Sequence, residues 1–141
     1  MSTYDAQENY TARVAQKYVD LDLFFGRKSS NSDVQDLTNI KAVKRSVRNL
    51  ILTNFGEKPF HPEIGSGVRD MLFENMTPIT AIILSRKIED VINNFEPRVN
   101  LVGVRAQPDL DRNLYEVSIE FYVVNQPTEL QDLSVMLEVL R

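Results

Sequence analysis

The chain has 141 residues, 43% of them hydrophobic and 26% charged, and a formal net charge of −4 at pH 7. That length is enough for one domain with its own core, and the composition is typical of a folded globular protein rather than of a disordered chain or a membrane protein. The acidic balance disfavours nucleic acid as the main partner. The absence of cysteine excludes disulfides, thiolate catalysis and sulfur-ligated metals, and a single histidine, His61, excludes a site with several histidine ligands. No cofactor is expected.

The chain shows no sign of a targeting or membrane-spanning segment. It begins MSTYDAQENY, which is polar and acidic where a secretory signal would be basic and then apolar. The longest unbroken aliphatic run, AIIL at 81–84, is far too short to span a bilayer. We therefore expect a protein that is made in a cytoplasm and has no membrane partner.

The first residues lack a clear hydrophobic period. We expect 1–17 to form an arm and 18–141 to form a single domain. The stretch YVDLDLFF, 18–25, alternates between apolar and acidic residues, as a half-buried strand does. This alternation predicts that Asp20 and Asp22 face away from the apolar side chains, which are Val19, Leu21, Leu23 and Phe25.

From Leu37 the apolar period changes to three and four residues, which predicts a helix with Thr38 as its N-cap and a stop at 54–56. Its apolar stripe consists of Leu37, Ile40, Val43, Val47, Leu50 and Ile51. The other side of this helix carries four basic residues, Lys41, Lys44, Arg45 and Arg48. They could bind an anionic surface, but no aromatic residues alternate with them to stack on nucleotides, so a solvated helix face is the plainer interpretation.

A long loop and a second helix come next. Residues 56–76 contain three glycines and two prolines, which predicts a loop with a helical turn around 68–73. A loop of this length is usually functional or held by partners. Thr77 and Pro78 start the second helix as a capping hydroxyl and a first-turn proline, and Pro97 ends it. Its apolar residues are numerous enough to predict packing on more than one side; they are Ile79, Ala81, Ile82, Ile83, Leu84, Ile88, Val91, Ile92 and Phe95.

The last third of the chain predicts three strands. VNLVGVRAQ, 99–107, leads through a turn around 108–113 into LYEVSIEFYVV, 114–124. The residues of this second strand predicted to face inward are Tyr115, Val117, Ile119, Phe121 and Val123. The tail, 129–141, fits a helix and a strand equally, and the strand is preferred because two positions are β-branched and a hairpin alone is marginal. The predicted fold class is α+β, with two main helices packed on one face of a small, mostly antiparallel sheet.

An enzymatic function would depend on paired carboxylates. Glycoside hydrolysis needs an acid and a base or nucleophile about 5 to 9.5 Å apart, and Glu63 and Glu74, with Asp70 between them, are the candidates. His61 in PFHPE could act as a general base, but no serine or cysteine nucleophile stands in a recognisable motif. GSGVRD, 65–70, lacks the spacing and the lysine of a phosphate-binding loop, so its glycines are interpreted as turn residues.

The stretch INNFEPRV, 92–99, places an acid, a proline and a base where the second helix stops. Pro97 disfavours the helical conformation for Glu96, so the backbone is stiff at this corner. An exposed Glu96–Arg98 ion pair would contribute under about 1 kcal/mol. If Arg98 were instead inserted into a partner and paired there, its removal would cost about 3 to 5 kcal/mol. The corner is therefore a candidate docking element.

Two stretches together resemble a known family. They are AVKRSVRNLILTNFGEKPFHPEIGSGVRDMLFENMTPIT and the later INNFEPRV. They resemble the baseplate wedge family of contractile-tailed phages, a small subunit sometimes labelled lysozyme-like and related to the TssE-type subunit of type VI secretion baseplates. The resemblance runs from Tyr18 to Val124, and it depends on NLILT, the GEKPFHPEIGSG loop, LFENMTP and the Glu-Pro-Arg corner, all in family order.

The resemblance implies a structural role. It implies that Glu96, Pro97 and Arg98 form a docking site for a helical bundle contributed by larger baseplate wedge proteins. It also implies that the terminal strands serve as a template for the tail sheath protein, which is consistent with the ability of an open sheet edge to accept an incoming strand. The lysozyme-like label finds no active site in these residues.

Two functions are therefore compared. The first is a non-enzymatic baseplate wedge subunit of the virion, assembled in the host cytoplasm, with no small-molecule substrate. The alternative is a small glycan hydrolase that uses Glu63 and Glu74. A third possibility, anion binding by the basic helix face at 41–48, predicts an affinity that collapses with added salt.

Overall fold

A computed structural model describes residues 17–30 and 32–140. In chain order its elements are β1 (Val19–Leu21), β2 (Asp36–Thr38), α1 (Ile40–Leu52), α2 (Val68–Met71), α3 (Pro78–Phe95), β3 (Val99–Asp109), β4 (Leu114–Val123) and β5 (Gln126–Glu138). The α+β class is confirmed, although the described strands form two antiparallel sheets, β1–β2 and β3–β4–β5, where the sequence predicted one. Apart from Lys17, the predicted arm at 1–17 lies outside the described residues.

The three-stranded sheet forms one wall of the core. The five inward-facing positions predicted for β4 are all buried. Val117 in β4 lies opposite Ala106 in β3 and Val135 in β5, so the inward positions of the three strands stand side by side. The tail continues this sheet as β5, which confirms the strand interpretation. Pro108 and Asp109, predicted to lie in the turn, instead complete β3.

Helix α3 covers the inner face of that sheet. Its N-cap is Thr77, whose hydroxyl accepts a hydrogen bond from the Thr80 backbone N–H at 3.1 Å, and Pro78 occupies the first turn, as predicted. One stripe of the helix enters the core; it consists of Ala81, Leu84, Ile88, Val91 and Ile92. No helix within the described ranges is long and apolar enough to cross a bilayer.

Helix α1 packs its apolar stripe into the same core through Val43, Val47 and Ile51. It begins later than the sequence predicted. Its N-cap is Asn39, which makes no side-chain capping hydrogen bond, and Thr38 belongs to β2. The pairing of Thr38 with Val19 therefore prevails over its preference for a cap position.

The segment after α1 returns to the end of that helix. Buried Ser66 donates a hydrogen bond from its hydroxyl to the Ile51 carbonyl at 2.6 Å and accepts one from the Val68 N–H at 3.2 Å. A Cβ atom on Gly65 would lie 2.5 Å from the Phe55 backbone nitrogen. Glycine is required here because two backbone segments approach so closely.

The ribbon formed by β1 and β2 corrects one prediction. Within the predicted strand at 18–25, only Val19–Leu21 is a strand. The side that was predicted to face inward is the exposed side. The apolar side chains at 19, 21, 23 and 25 are between 52% and 72% exposed, whereas Asp20 and Asp22 face the body of the protein and its arginines. Electrostatic attraction to specific partners, which alternation cannot show, determines which side of the ribbon faces inward.

Candidate functional site

The corner predicted at 96–98 lies where α3 turns into β3. The Glu96 N–H makes the last helical hydrogen bond, to the Ile92 carbonyl at 2.9 Å, and the Glu96 backbone then leaves the helical region with φ −124° and ψ 80°. Pro97 fixes its own φ and disfavours the helical conformation for its predecessor. A bond from the Val99 N–H to the Glu96 carbonyl at 3.2 Å closes the turn. The corner is therefore stiff, as the sequence predicted.

The Glu96 carboxylate is buried inside this corner, with 3% of the residue exposed. Arg98 binds it in a bidentate manner, with Nε 2.7 Å from Oε1 and Nη2 3.0 Å from Oε2. The Ser46 hydroxyl on α1 donates a third hydrogen bond to Oε2. Burial of a carboxylate is costly unless it is paired, and these three donors supply the pairing. Glu96 thus ties α1 to the α3–β3 corner.

These contacts perturb both ionisable groups. Burial alone would raise the pKa of Glu96, but the hydrogen bonds from Arg98 and Ser46 and the charge of Arg98 outweigh it, so its pKa lies below the ordinary value of 4.5. The hydrogen bond to Glu96 likewise raises the pKa of Arg98. Both groups are therefore charged at neutral pH.

Arg98 also reaches the ribbon. Its Nη1 lies 3.3 Å and 3.4 Å from the two carboxylate oxygens of Asp20, and its guanidinium lies 5.5 Å from the centre of the Tyr18 ring. The contact with Asp20 is longer than either bond to Glu96 and more exposed to solvent. One guanidinium therefore joins the corner to a segment 78 residues earlier in the chain.

A second arginine makes the same two kinds of contact, one with an aspartate and one with an aromatic ring, two residues beyond Asp20. Arg45 on α1 lies 3.7 Å from Asp22, and its guanidinium stacks over the Phe24 ring at 4.2 Å from the centroid. Sequence reasoning identified Glu96, Pro97 and Arg98 but missed Ser46, Asp20 and Arg45. The only available signal was two aspartates in an otherwise apolar strand, and it was interpreted as a solvent-facing edge.

An open groove adjoins the corner. It has a volume of about 570 Å³, and its lining includes Ser46, Asn49 and Leu50 of α1 and Thr53, which directly follows the helix. Leu23, Glu57, Lys58, Ile64 and Phe95, the residue before Glu96, also line it. Pro97, two residues after Phe95, is exposed. The groove is linked to the buried carboxylate through Ser46, which lines the groove and donates a hydrogen bond to Glu96.

The carboxylates of the alternative function occupy exposed positions. Glu63 accepts a hydrogen bond from its own backbone N–H and lies 3.1 Å from the His61 ring, and these contacts lower the pKa of Glu63. A glycosidase general acid needs a raised pKa. Glu74 is exposed as well, in the segment that follows α2. Among the described residues, no group of three or more His, Asp or Glu side chains could hold a metal ion.

The three-stranded sheet has two outer strands. Within the described ranges β3 and β5 each pair only with β4, so one edge of each has no neighbouring strand. The first half of β5 is exposed, from Gln126 to Leu130. An edge of this kind presents unpaired backbone N–H and C=O groups to an incoming strand.

The sequence matches one family model, described as baseplate wedge protein gp25, over residues 38–128. This range includes α1, the corner and β4. Baseplate wedge protein gp25 of Enterobacteria phage T4 is 34% identical over 126 residues, which cover 89% of this chain and 95% of that protein.

Solved structures share the fold. A protein from Geobacter sulfurreducens described as a tail lysozyme superposes with a TM-score of 0.65 at 23% identity, covering 70% of this chain and 89% of that one. A chain of the anti-feeding prophage baseplate superposes with a TM-score of 0.62, also at 23% identity, covering 90% of each. At such identities the likeness establishes the fold alone.

Proposed function

Since the chain belongs to the baseplate wedge protein gp25 family, we propose that this structural subunit of a contractile-tail baseplate docks on larger wedge proteins through Glu96, Pro97 and Arg98. Family membership makes other baseplate proteins its partners. The stiff corner at 96–98 supports the choice of docking site. The subunit is assembled into the baseplate in the host cytoplasm and remains in the virion tail.

The observation that supports this site is the burial of Glu96 beside an exposed Pro97. Glu96 is fully engaged within the chain, so its role is to hold Arg98 in one orientation. Arg98 keeps a longer, solvent-accessible contact with Asp20 through Nη1, and a carboxylate of a partner can compete for that atom. A stiff proline and a pre-oriented guanidinium reduce the entropy lost on docking.

The second part of the proposal concerns the tail sheath. One of the two free edges of the three-stranded sheet accepts a strand of the sheath protein, because main-chain hydrogen bonding needs no particular side chains. The exposed start of β5 favours that strand as the acceptor.

We further propose that the chain has no catalytic activity. The lowered pKa of Glu63 opposes the role of a general acid. The alternative remains a small glycan hydrolase that uses the paired carboxylates Glu63 and Glu74.

Co-expression with the larger wedge proteins of the same particle tests the docking site. Arg98→Ala is expected to reduce capture of the tagged chain in the wedge complex by about tenfold or more, because a paired arginine is lost from the interface. Arg86→Ala, an exposed arginine on α3, is the matched control and should assemble like the wild type. Intact assembly of Arg98→Ala, together with loss of peptidoglycan clearing in Glu74→Gln, would reverse the choice between the two functions.

A further inference from the structure

A phenylalanine is exposed at the tip of the loop between α1 and α2. The Phe60 residue is 98% exposed, the largest exposed fraction among the large hydrophobic residues of the described ranges. Pro59 and Pro62, which flank it, are exposed as well. An aromatic ring stabilises a fold through the surface that it removes from water, so Phe60 contributes almost nothing to the stability of this domain.

The backbone of Phe60 adopts a conformation that a bulky side chain disfavours. The His61 N–H donates a hydrogen bond to the Lys58 carbonyl at 3.3 Å, which closes a β-turn. Pro59 is the second residue of this turn, and Phe60 is the third, with a φ of 67°. A positive φ at the third position, directly after a proline, is typical of a type II turn, which normally takes glycine or asparagine there. Phenylalanine at this position is therefore strained.

The rest of the loop holds this turn in place. A second β-turn follows, closed by a hydrogen bond from the Ile64 N–H to the His61 carbonyl at 3.1 Å, with Pro62 at its second position. The Gly56 N–H donates a hydrogen bond to the Pro62 carbonyl at 2.9 Å and joins the two sides of the loop. Two prolines and these hydrogen bonds restrict the backbone around Phe60. A side chain presented on a stiff backbone loses less conformational entropy when it binds.

Phe60 thus combines a strained backbone with a side chain that packs on nothing in its own domain. A residue that breaks a local rule without a gain in stability is expected where another function needs its side chain. Aromatic side chains that fill a pocket are common anchors at the centre of protein interfaces. We propose that the Phe60 ring inserts into an apolar pocket of another baseplate protein, with Pro59 and Pro62 covering the rim of that pocket.

The charges around the tip favour a protein pocket over an anionic ligand. Residues 54–64 include two acids, Glu57 and Glu63, and one lysine, Lys58. Nucleic acids and anionic membrane surfaces both attract proteins through an excess of basic residues, which this loop lacks. A tip made of one aromatic ring and two proline rings suits an uncharged apolar cavity instead.

This proposal rests on the proposed baseplate function and adds to it a contact that uses none of the residues 96–98. The test is a substitution that suits the turn and removes the ring. Asparagine tolerates a positive φ, so the thermal midpoint of Phe60→Asn is expected to equal or exceed that of the wild type. On co-expression with the other baseplate proteins of the particle, capture of this variant in the complex is expected to fall about tenfold or more.

A second phenylalanine supplies the matched control. Phe25 is 72% exposed and has a φ of 54°, but it lies outside any turn that contains a proline. Phe25→Asn makes the same chemical change in a similar backbone conformation and should be captured like the wild type. An equal loss of capture in both variants would contradict a specific anchor at position 60.

The remaining outcomes separate this proposal from the proposed function. Normal capture of Phe60→Asn, with Arg98→Ala still disruptive, would overturn the anchor alone. A lower thermal midpoint for Phe60→Asn would show that the ring supports the fold, and it would overturn the anchor as well. No capture of any baseplate protein by the wild type would overturn the proposed function and this inference together.

A photoreactive phenylalanine analogue at position 60 identifies the occupant in the assembled baseplate. Mass spectrometry is expected to find cross-links to apolar residues of another baseplate protein. Cross-links confined to this chain, to nucleic acid or to lipid would contradict the proposal, as would an assembled baseplate without any cross-link from this position.

Discussion

The core around β4 and the ribbon of β1 and β2 are attached to the same body by different forces. Tyr115, Val117 and Phe121 are buried without charge partners, and dispersion and burial hold them in place. The ribbon exposes its apolar side chains and is held through Asp20 and Asp22, each paired with an arginine of the body. Packing therefore gives the domain its stability. Charge pairing determines the orientation of the ribbon and of its exposed apolar side chains.

The largest effect is expected from removing an aromatic side chain in the core. Phe121→Ala leaves a cavity in a fully buried site and should lower the free energy of unfolding by about 3 to 5 kcal/mol. Phe24→Ala removes an exposed ring and should cost under about 1 kcal/mol, including its stacking on Arg45. Urea denaturation of both variants measures the difference. A similar decrease in the free energy of unfolding for both variants would mean that Phe24 is packed like a core residue.

A smaller effect is expected at the corner. Glu96→Gln keeps the shape but removes the charge that pairs with the partly buried Arg98, and should cost about 2 to 3 kcal/mol. Glu120→Gln, on the outer face of β4, is the control and should be close to neutral. A neutral result for Glu96→Gln would show that the buried pair does not tie α1 to the corner.

The Glu96 carboxylate also makes the stability of the fold depend on pH. Because the pKa of Glu96 is lowered in the folded state, its contribution is present above the ordinary value of 4.5 and is lost as the pH falls through the folded value. The stability difference between the wild type and Glu96→Gln should therefore shrink as the pH is lowered below about 4.5. Denaturation curves at several pH values test this, and a difference that grows in acid would have the wrong sign.

The smallest effect on global stability is expected for the ribbon. Asp20→Asn weakens a long, partly exposed contact with Arg98 and should cost under about 1 kcal/mol. It should nevertheless lower the hydrogen-exchange protection of the backbone amides in β1 and β2, because local opening has its own free energy. Asp132→Asn on β5 is the control. Unchanged protection in Asp20→Asn would mean that the strand pairing alone holds the ribbon.

The contrast between the two regions also explains what the sequence could predict. The strands of the larger sheet, the cap at Thr77 and the stop at Pro97 follow from residues that lie close together in the chain. The prediction of which side of β1 faces solvent was wrong because Arg98 orients Asp20. The predicted start of α1 was too early because Thr38 pairs with Val19 in the ribbon. Local patterns contain no information on such distant partners.

The candidate site likewise has one part that the sequence predicted and another part that it did not. A proline between an acid and a base marked the corner, because that signal lies within three residues. Ser46 and the groove on α1 could not be predicted, since they become neighbours of Glu96 and Leu23 only when the chain has folded.

The most direct test of the docking role is a cryo-EM map of the assembled baseplate. The expected result is that Pro97 and the Nη1 atom of Arg98 lie against another wedge subunit, with a carboxylate of that subunit at or beside the position of Asp20. A map in which the corner projects into solvent, with no subunit in contact with it, would contradict the docking role.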